Sequence, residues 1–314
     1  MAILSSNISQ AVEFLNRGEP IAIPTETVYG LAANALDAHA ALKIFEVKNR
    51  PTFDPLIVHI SSIAEVDKYA TAFAPKAKLL AEKFWPGPLT LLLPKKKNIP
   101  DLVTSGLDTV GLRCPAHKTT LDLLKQLEFP LAAPSANPFG YISPTTAQHV
   151  QDQLGGKIDF ILDGGACEVG LESTIVGFEG NDTVIHRLGG LSVEAIEDVV
   201  GKVKLNLNVS SNPQAPGQLN SHYAPKKKLV VGNINELIRK HYSEKIGILS
   251  FNNRYAFDYS FVLSPSGSTS DAAHNIFSML RELDQSPVDL ILAEYIPDEG
   301  LGRAVNDRLR RAAY

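Results

Sequence analysis

The chain has 314 residues, 44% of them hydrophobic and 20% charged. That balance is too apolar for disorder, and the length is ample for two domains. Thirty Lys and Arg against 34 Asp and Glu leave a formal net charge of -4, which excludes a bulk nucleic-acid binder and confines any RNA contact to a local patch.

In chain order, Asn7 or Ser9 is expected to cap a first helix that buries Val12, Phe14 and Leu15 and stops at Gly18. A strand follows at 21–24, then a helix capped by Asp37 and running to Val47, with Leu42, Ile44 and Phe45 inward. Short apolar runs predict further strands at 56–60, 89–93, 110–113, 131–133, 160–162, 174–178 and 184–187. Helical periodicity fits 145–154 and 193–200. The segment 205–225 then changes character: SSNPQAPGQLNSHYAP is rich in helix breakers and has little to bury. Beyond it a shorter α/β pattern resumes, with strands at 229–231, 246–249 and 290–292 and helices at 234–242 and 272–283. The last segment, 302–313, reads as a basic amphipathic helix. Alternating strands and helices predict an α/β fold. The organisation is a domain over 1–203, a linker over 204–226 and a smaller α/β domain over 227–314.

No stretch approaches the ~18 apolar residues of a membrane span. The opening MAILSSNISQAVEF lacks a basic segment followed by an apolar run, so no secretory signal is expected and the location is read as cytoplasmic. Cys114 and Cys167 are too few for a disulfide framework and lack zinc-site spacing, so reduced structural thiols are expected. A Walker loop, a GxGxxG fingerprint, HExxH and GxSxG are all absent. A nucleotide, if one is bound, needs another kind of site.

Several stretches concentrate Gly, Pro, Ser, Thr and Arg at predicted strand ends, where open α/β sheets bind ligands. They are PTETVYGLAANA (24–35), KIFEVKNRP (43–51), PLIVHI (55–60), VGLRCPAH (110–117), PLAAPSAN (130–137), SPTTAQ (143–148) and GLESTIV (170–176). With the linker motif PGQLNSHYAP and the ending GLGRAVNDRLRRAA, this series resembles the two-domain YrdC-type threonylcarbamoyladenylate synthases from end to end. The resemblance implies a YrdC-like twisted mixed sheet with flanking helices and a C-terminal Rossmann-like α/β domain. It implies an enzyme that makes threonylcarbamoyl-AMP and pyrophosphate from L-threonine, bicarbonate and ATP, with Mg2+ arriving on the nucleotide and no dedicated protein metal site. The product would pass to tRNA-modifying transfer machinery, with at most a weak tRNA contact and no membrane involvement.

The same resemblance supplies roles. Lys48 and Arg50 face the ATP phosphates and, with Arg113, carry the catalysis; Asp54 stands where many relatives have Asn, and a carboxylate cannot touch phosphate without a metal or water between. Thr27, His59, Arg113, Ala133 and Ser173 contact threonine, Arg113 through its carboxylate, while Tyr29 and Gly30 shape their loop. Thr109, Ser135, Ser143, Arg187 and Tyr223 complete the ATP set, with Tyr223 borne on a linker that acts as a lid. Residue chemistry supports parts of this reading. Arg113 ends an apolar strand, where a cation needs a buried anion: a substrate carboxylate, or an internal Asp or Glu. Ser143-Pro144 also suits a helix start. A competing reading is an RNA-binding module without ATP turnover, using the run Lys95, Lys96 and Lys97. A carbamoyl-phosphate-using maturation factor is less apt, because the accompanying acylphosphatase and zinc-finger segments are missing.

Overall fold

Aliphatic runs of three to six residues become strands, and a computed structural model, which describes residues 1–207 and 223–313, gathers them into two sheets. The larger has eleven strands, in spatial order Ile3–Ser5, Phe160–Leu162, Ile21–Ile23, Gly30–Asn34, Leu131–Ala132, Ile57–His59, Thr109–Arg113, Leu89–Pro94, Thr174–Glu179, Asp182–Arg187 and Lys204–Leu205. Its pairings are mixed. Ile57–His59 runs parallel to Thr109–Arg113, and Leu89–Pro94 antiparallel to it. The smaller sheet is all parallel, in the order Lys228–Val231, Leu290–Ala293, Ile246–Ser250 and Ser260–Val262. A parallel sheet is stable only when both faces are covered. Here the long helix Thr269–Gln285 buries Ala272, Ala273, Ile276, Phe277, Leu280 and Leu283.

Local chemistry sets the helix starts. Asn7 caps Ile8–Asn16 through its side chain, Asp37 caps Ala38–Lys48, and Ser192 caps Val193–Val200. Two expectations need correction. Leu42 is 39% exposed while Ile44 and Phe45 are buried, because the helix turns its Ala40-Ala41-Ile44-Phe45 stripe to the core. The helix Ala147–Leu154 is capped by Thr146 and not by Ser143, whose hydroxyl is engaged elsewhere. The C-terminal helix Gly302–Ala312 is the basic amphipathic helix expected, and its buried face carries Arg308 and Arg311 together with Val305 and Leu309. The strand Gly30–Asn34 had no signature of its own, since Gly, Ala and Asn are poor strand formers; its neighbours on both sides hold it.

The two sheets are docked through polar contacts. Arg281 donates to the carbonyls of Ile142 and Ser143 at 2.9 and 3.3 Å, and Tyr141 donates to Asp284 at 2.5 Å. Gly170 sits at φ +78°, where a Cβ would lie 2.4 Å from the His274 carbonyl oxygen. The helix Thr269–Gln285 therefore approaches the 170s loop as closely as only glycine allows. Both thiols are buried and unpaired. Burial pushes Cys114 up to about 11 and Cys167 up to about 12, values that make a nucleophilic role poor. No helix among the described residues is long and apolar enough to cross a membrane.

Candidate active site

Sheet register builds the site. His59 and Arg113 are direct partners in the parallel pairing of their strands, so both side chains leave the same face. Gly30 bridges to Ser135, which brings the 133–135 loop over that face. The strands Thr174–Glu179 and Asp182–Arg187 deliver Ser173 and Arg187 from the other side. The result is a cavity whose wall includes Thr25, Arg50, His59, Arg113, Ala133, Ser135, Glu172, Ser173, Arg187 and Tyr223.

Three arginines face one carboxylate on that wall, a balance suited to an anion. Each arginine is anchored from behind. Arg50 donates Nε to the Asp54 carbonyl at 3.1 Å and Nη2 to the Pro55 carbonyl at 2.9 Å, and its Nη2 lies 2.9 Å from Asp54 Oδ2. Asp54 is fully buried behind it and orients the fork; it does not reach the cavity wall. Arg113 has a 2.7 Å charge contact from Nη2 to Glu26 Oε1 and a long Nε contact to the Gly87 carbonyl. The Glu26 contact is close but not aligned as a hydrogen bond, since neither atom counts a hydrogen-bond partner. An internal acid therefore does partner Arg113, while the fork still lines the cavity. Arg187 holds the Ser173 carbonyl through Nε at 3.1 Å and Nη2 at 2.9 Å, and the Ser173 hydroxyl at 3.1 Å. Burial draws Arg187 down to about 10, which still leaves it cationic at neutral pH.

His59 behaves differently. Burial, helped by the Arg113 charge, lowers it to about 3. It is a neutral imidazole at physiological pH and offers a hydrogen bond, not a charge. Glu172 would be raised by its burial, but Arg308, Arg187 and the Ser143 hydroxyl hold it below the usual carboxylate range.

Not every expected residue meets the cavity. Thr27 is buried beneath it, its hydroxyl 2.8 Å from that of Thr25, and Thr25 forms the wall instead. Lys48 lies under the floor, 1% exposed, donating to the carbonyls of Ser135 and Asn137; burial and the neighbouring Arg50 lower its pKa well below normal. Ser143 donates to Glu172 at 2.5 Å. Thr109 lines a neighbouring hollow with Leu92, Asp108 and Gly177. Of the linker, Tyr223 lines the cavity, and the segment 208–222 lies outside the described residues. The Tyr29 hydroxyl donates to the Gly165 carbonyl at 2.8 Å. Of the proposed lysine patch, Lys95 is bound to Asp101 and Thr104 and Lys96 to the Asp67 carbonyl, so two of the three are tied to the protein.

Besides Thr25, two residues of the site escaped the sequence reading. Glu172 precedes Ser173 in GLESTIV and carries no distinguishing spacing. Arg308 comes from the C-terminal helix and reaches the Glu172 carboxylate at 3.0 Å. It falls on the stripe 305, 308, 309, 312, and a cation on an apolar stripe is a signal for a buried partner.

Comparison with known proteins places these features in context. A family model described as telomere recombination matches residues 13–189, and a second, described as threonylcarbamoyl-AMP synthase, C-terminal domain, matches residues 191–314. The threonylcarbamoyl-AMP synthase of Pyrococcus abyssi is 43% identical over 96% of this chain and 93% of its own length. That of Bacillus subtilis is 39% identical over 99% and 94%. The crystal structure of P. abyssi Sua5 complexed with L-threonine superposes with a TM-score of 0.94 at 41% identity, covering 100% of this chain and 97% of that one.

Proposed function

The chain belongs to the two-domain YrdC-type threonylcarbamoyl-AMP synthase family, and from that footing we propose that it is an ATP-dependent nucleotidyltransferase forming threonylcarbamoyl-AMP from L-threonine, bicarbonate and ATP. The observation that carries the reading is the shared cavity: Arg50, Arg113, Ser135 and Arg187, far apart in sequence, line one wall.

In this reading Arg113 takes the threonine carboxylate, whose two oxygens suit a guanidinium fork. Glu26 aims that fork from behind. Neutral His59 and the backbone at Ala133 orient the amino acid, and the Ser173 hydroxyl, fixed by Thr90 at 2.7 Å and by Arg187, faces the amine. The amine attacks the carboxyl carbon supplied by bicarbonate, a C–N bond forms and water leaves. A carbamate oxygen then attacks the α-phosphorus of ATP, and the bond to pyrophosphate breaks. A carbamate is already an anion, so the chemistry asks for alignment and charge stabilisation more than for a base. Arg50, Arg187 and Ser135 are assigned to the triphosphate, and Tyr223 to the nucleotide. Mg2+ enters on ATP as part of that substrate. Lys48 acts by bracing the Ser135 loop, and Asp54, Thr27 and Ser143 act through Arg50, Thr25 and Glu172.

The linker that carries Tyr223 is proposed to shield a labile mixed anhydride from water. The product is proposed to serve tRNA modification in the cytoplasm, through a partner that accepts the activated threonylcarbamoyl group. Pyrophosphate release tests the core of this reading. It is expected from ATP and Mg2+ only with threonine and bicarbonate together; release that is indifferent to the amino acid would refute it.

A further inference from the structure

Glu172 raises a problem for any anion in this cavity. It is the one carboxylate on the wall formed by the described residues, and it stands among groups assigned to a triphosphate. Its Oε1 accepts from Ser143 and its Oε2 from Arg308. Arg308 is fully buried and belongs to the last helix of the chain, 136 residues further on. Its Nη1 meets Asp307 at 2.8 Å and its Nη2 the Leu188 carbonyl at 2.9 Å, next to Arg187. Its guanidinium carbon lies 4.8 Å from the centre of the Tyr223 ring. Asp307 is shared with Arg311 through two 3.0 Å contacts. Glu172, Asp307, Arg308 and Arg311 thus form a buried set of two carboxylates and two guanidiniums, with the more exposed Arg310 3.9 Å from Asp307 at its edge.

We propose that Arg308 is a positioning residue for the nucleotide: the C-terminal helix neutralises Glu172 on the cavity wall, so that the wall accepts a triphosphate only when that helix is docked. The inference rests on the reading of the cavity as an ATP site. Its consequence is that the C-terminal unit takes part in the reaction through charge and not through contact with substrate. Without Arg308 the wall keeps a carboxylate offset only by the Ser143 hydroxyl and by Arg187, a group assigned to the triphosphate itself. In a poorly solvated site its repulsion of polyphosphate weakens binding by about tenfold or more. The same loss frees the Leu188 carbonyl and the Tyr223 ring, both of which border Arg187 or the cavity.

Full-length R308M and R308M/E172Q, assayed for threonine-dependent pyrophosphate release with the two substrates varied separately, test the idea. R308M is expected to raise KM for Mg-ATP about tenfold while KM for threonine changes less than about threefold. Adding E172Q removes the offending charge and is expected to bring KM for Mg-ATP back to within about threefold of the parent. A purely structural role would move both KM values together and would not be rescued by the second change; that result overturns the proposal. Should R308M fail to fold, the double variant, which leaves no uncompensated charge in the set, is compared with the parent directly, and a tenfold loss of ATP affinity there overturns it equally. An absence of threonine-dependent release in the parent would instead refute the reading of the cavity, so the two failures are distinguishable.

Discussion

At the scale of single residues, the cavity separates side chains that meet substrate from side chains that hold them in place. Arg50 and Arg113 line the wall and are each aimed by a buried acid, Asp54 and Glu26. Arg50→Ala and Arg113→Ala are expected to lose most activity while folding normally. Removal of one charge-assisted contact costs ~2–4 kcal/mol in such sites, or about 30- to 1,000-fold in rate. Steady-state pyrophosphate release by variants with unchanged circular dichroism checks this; parent-like rates would remove both residues from the site. His59, lowered to about 3 by burial and by Arg113, is expected to keep the chemical shifts of a neutral imidazole down to pH 5 by NMR. A normal titration near 6.5 would contradict the buried placement. Most wall residues were legible because strand-end Arg, His and Ser in Pro- and Gly-rich motifs point to ligands. Thr27, Lys48, Asp54, Thr109 and Ser143 stand one layer back or in a neighbouring hollow, and nothing in a linear motif distinguishes a side chain that touches a ligand from one that braces it.

At the scale of elements, the strands with continuous aliphatic runs could be read directly. Gly30–Asn34 could not, because its place is fixed by partners on both edges and not by its own residues. The helices Pro75–Phe84 and Lys118–Leu124 were likewise not anticipated; each is short and buries only three residues. Lys48 joins two elements: it lies in the last turn of Ala38–Lys48 and holds the 135–137 loop by two carbonyls. Lys48→Met is expected to lower catalytic efficiency about tenfold by loosening that loop, without removing the cavity; unchanged kinetics would show that the brace is idle. Gly170→Val is expected to destabilise the protein by about 2 kcal/mol or more, because it adds a Cβ against the His274 carbonyl at a positive φ. A thermal melt reads this, and an unshifted midpoint would mean that the helix can retreat without cost.

At the scale of the whole molecule, the chain joins two sheets so that the last helix closes the back of a cavity formed by the first 187 residues and Tyr223. The two-domain division was visible as a change of composition near 205–225. The involvement of the final helix in the site was not, because it depends on a contact across 136 residues. Acid stability follows from the same burial. His59 is lowered to about 3 and His149 to about 4, burial being the main cause for both. Unfolded chains take up these protons near pH 6.5. The unfolded state therefore binds more protons below that value, and stability is lost as pH falls from about 6.5 toward 3. Melting midpoints are expected to drop through that window, and less steeply in His149→Asn; parallel curves would exclude His149 as a contributor. The most direct test of the function is the identity of the product. With ATP, Mg2+, threonine and 13C-bicarbonate, mass spectrometry should find one species containing adenylate, threonine and the labelled carbon, formed in step with pyrophosphate. An adenylate that carries threonine without the label, or pyrophosphate with no such species, would contradict the account.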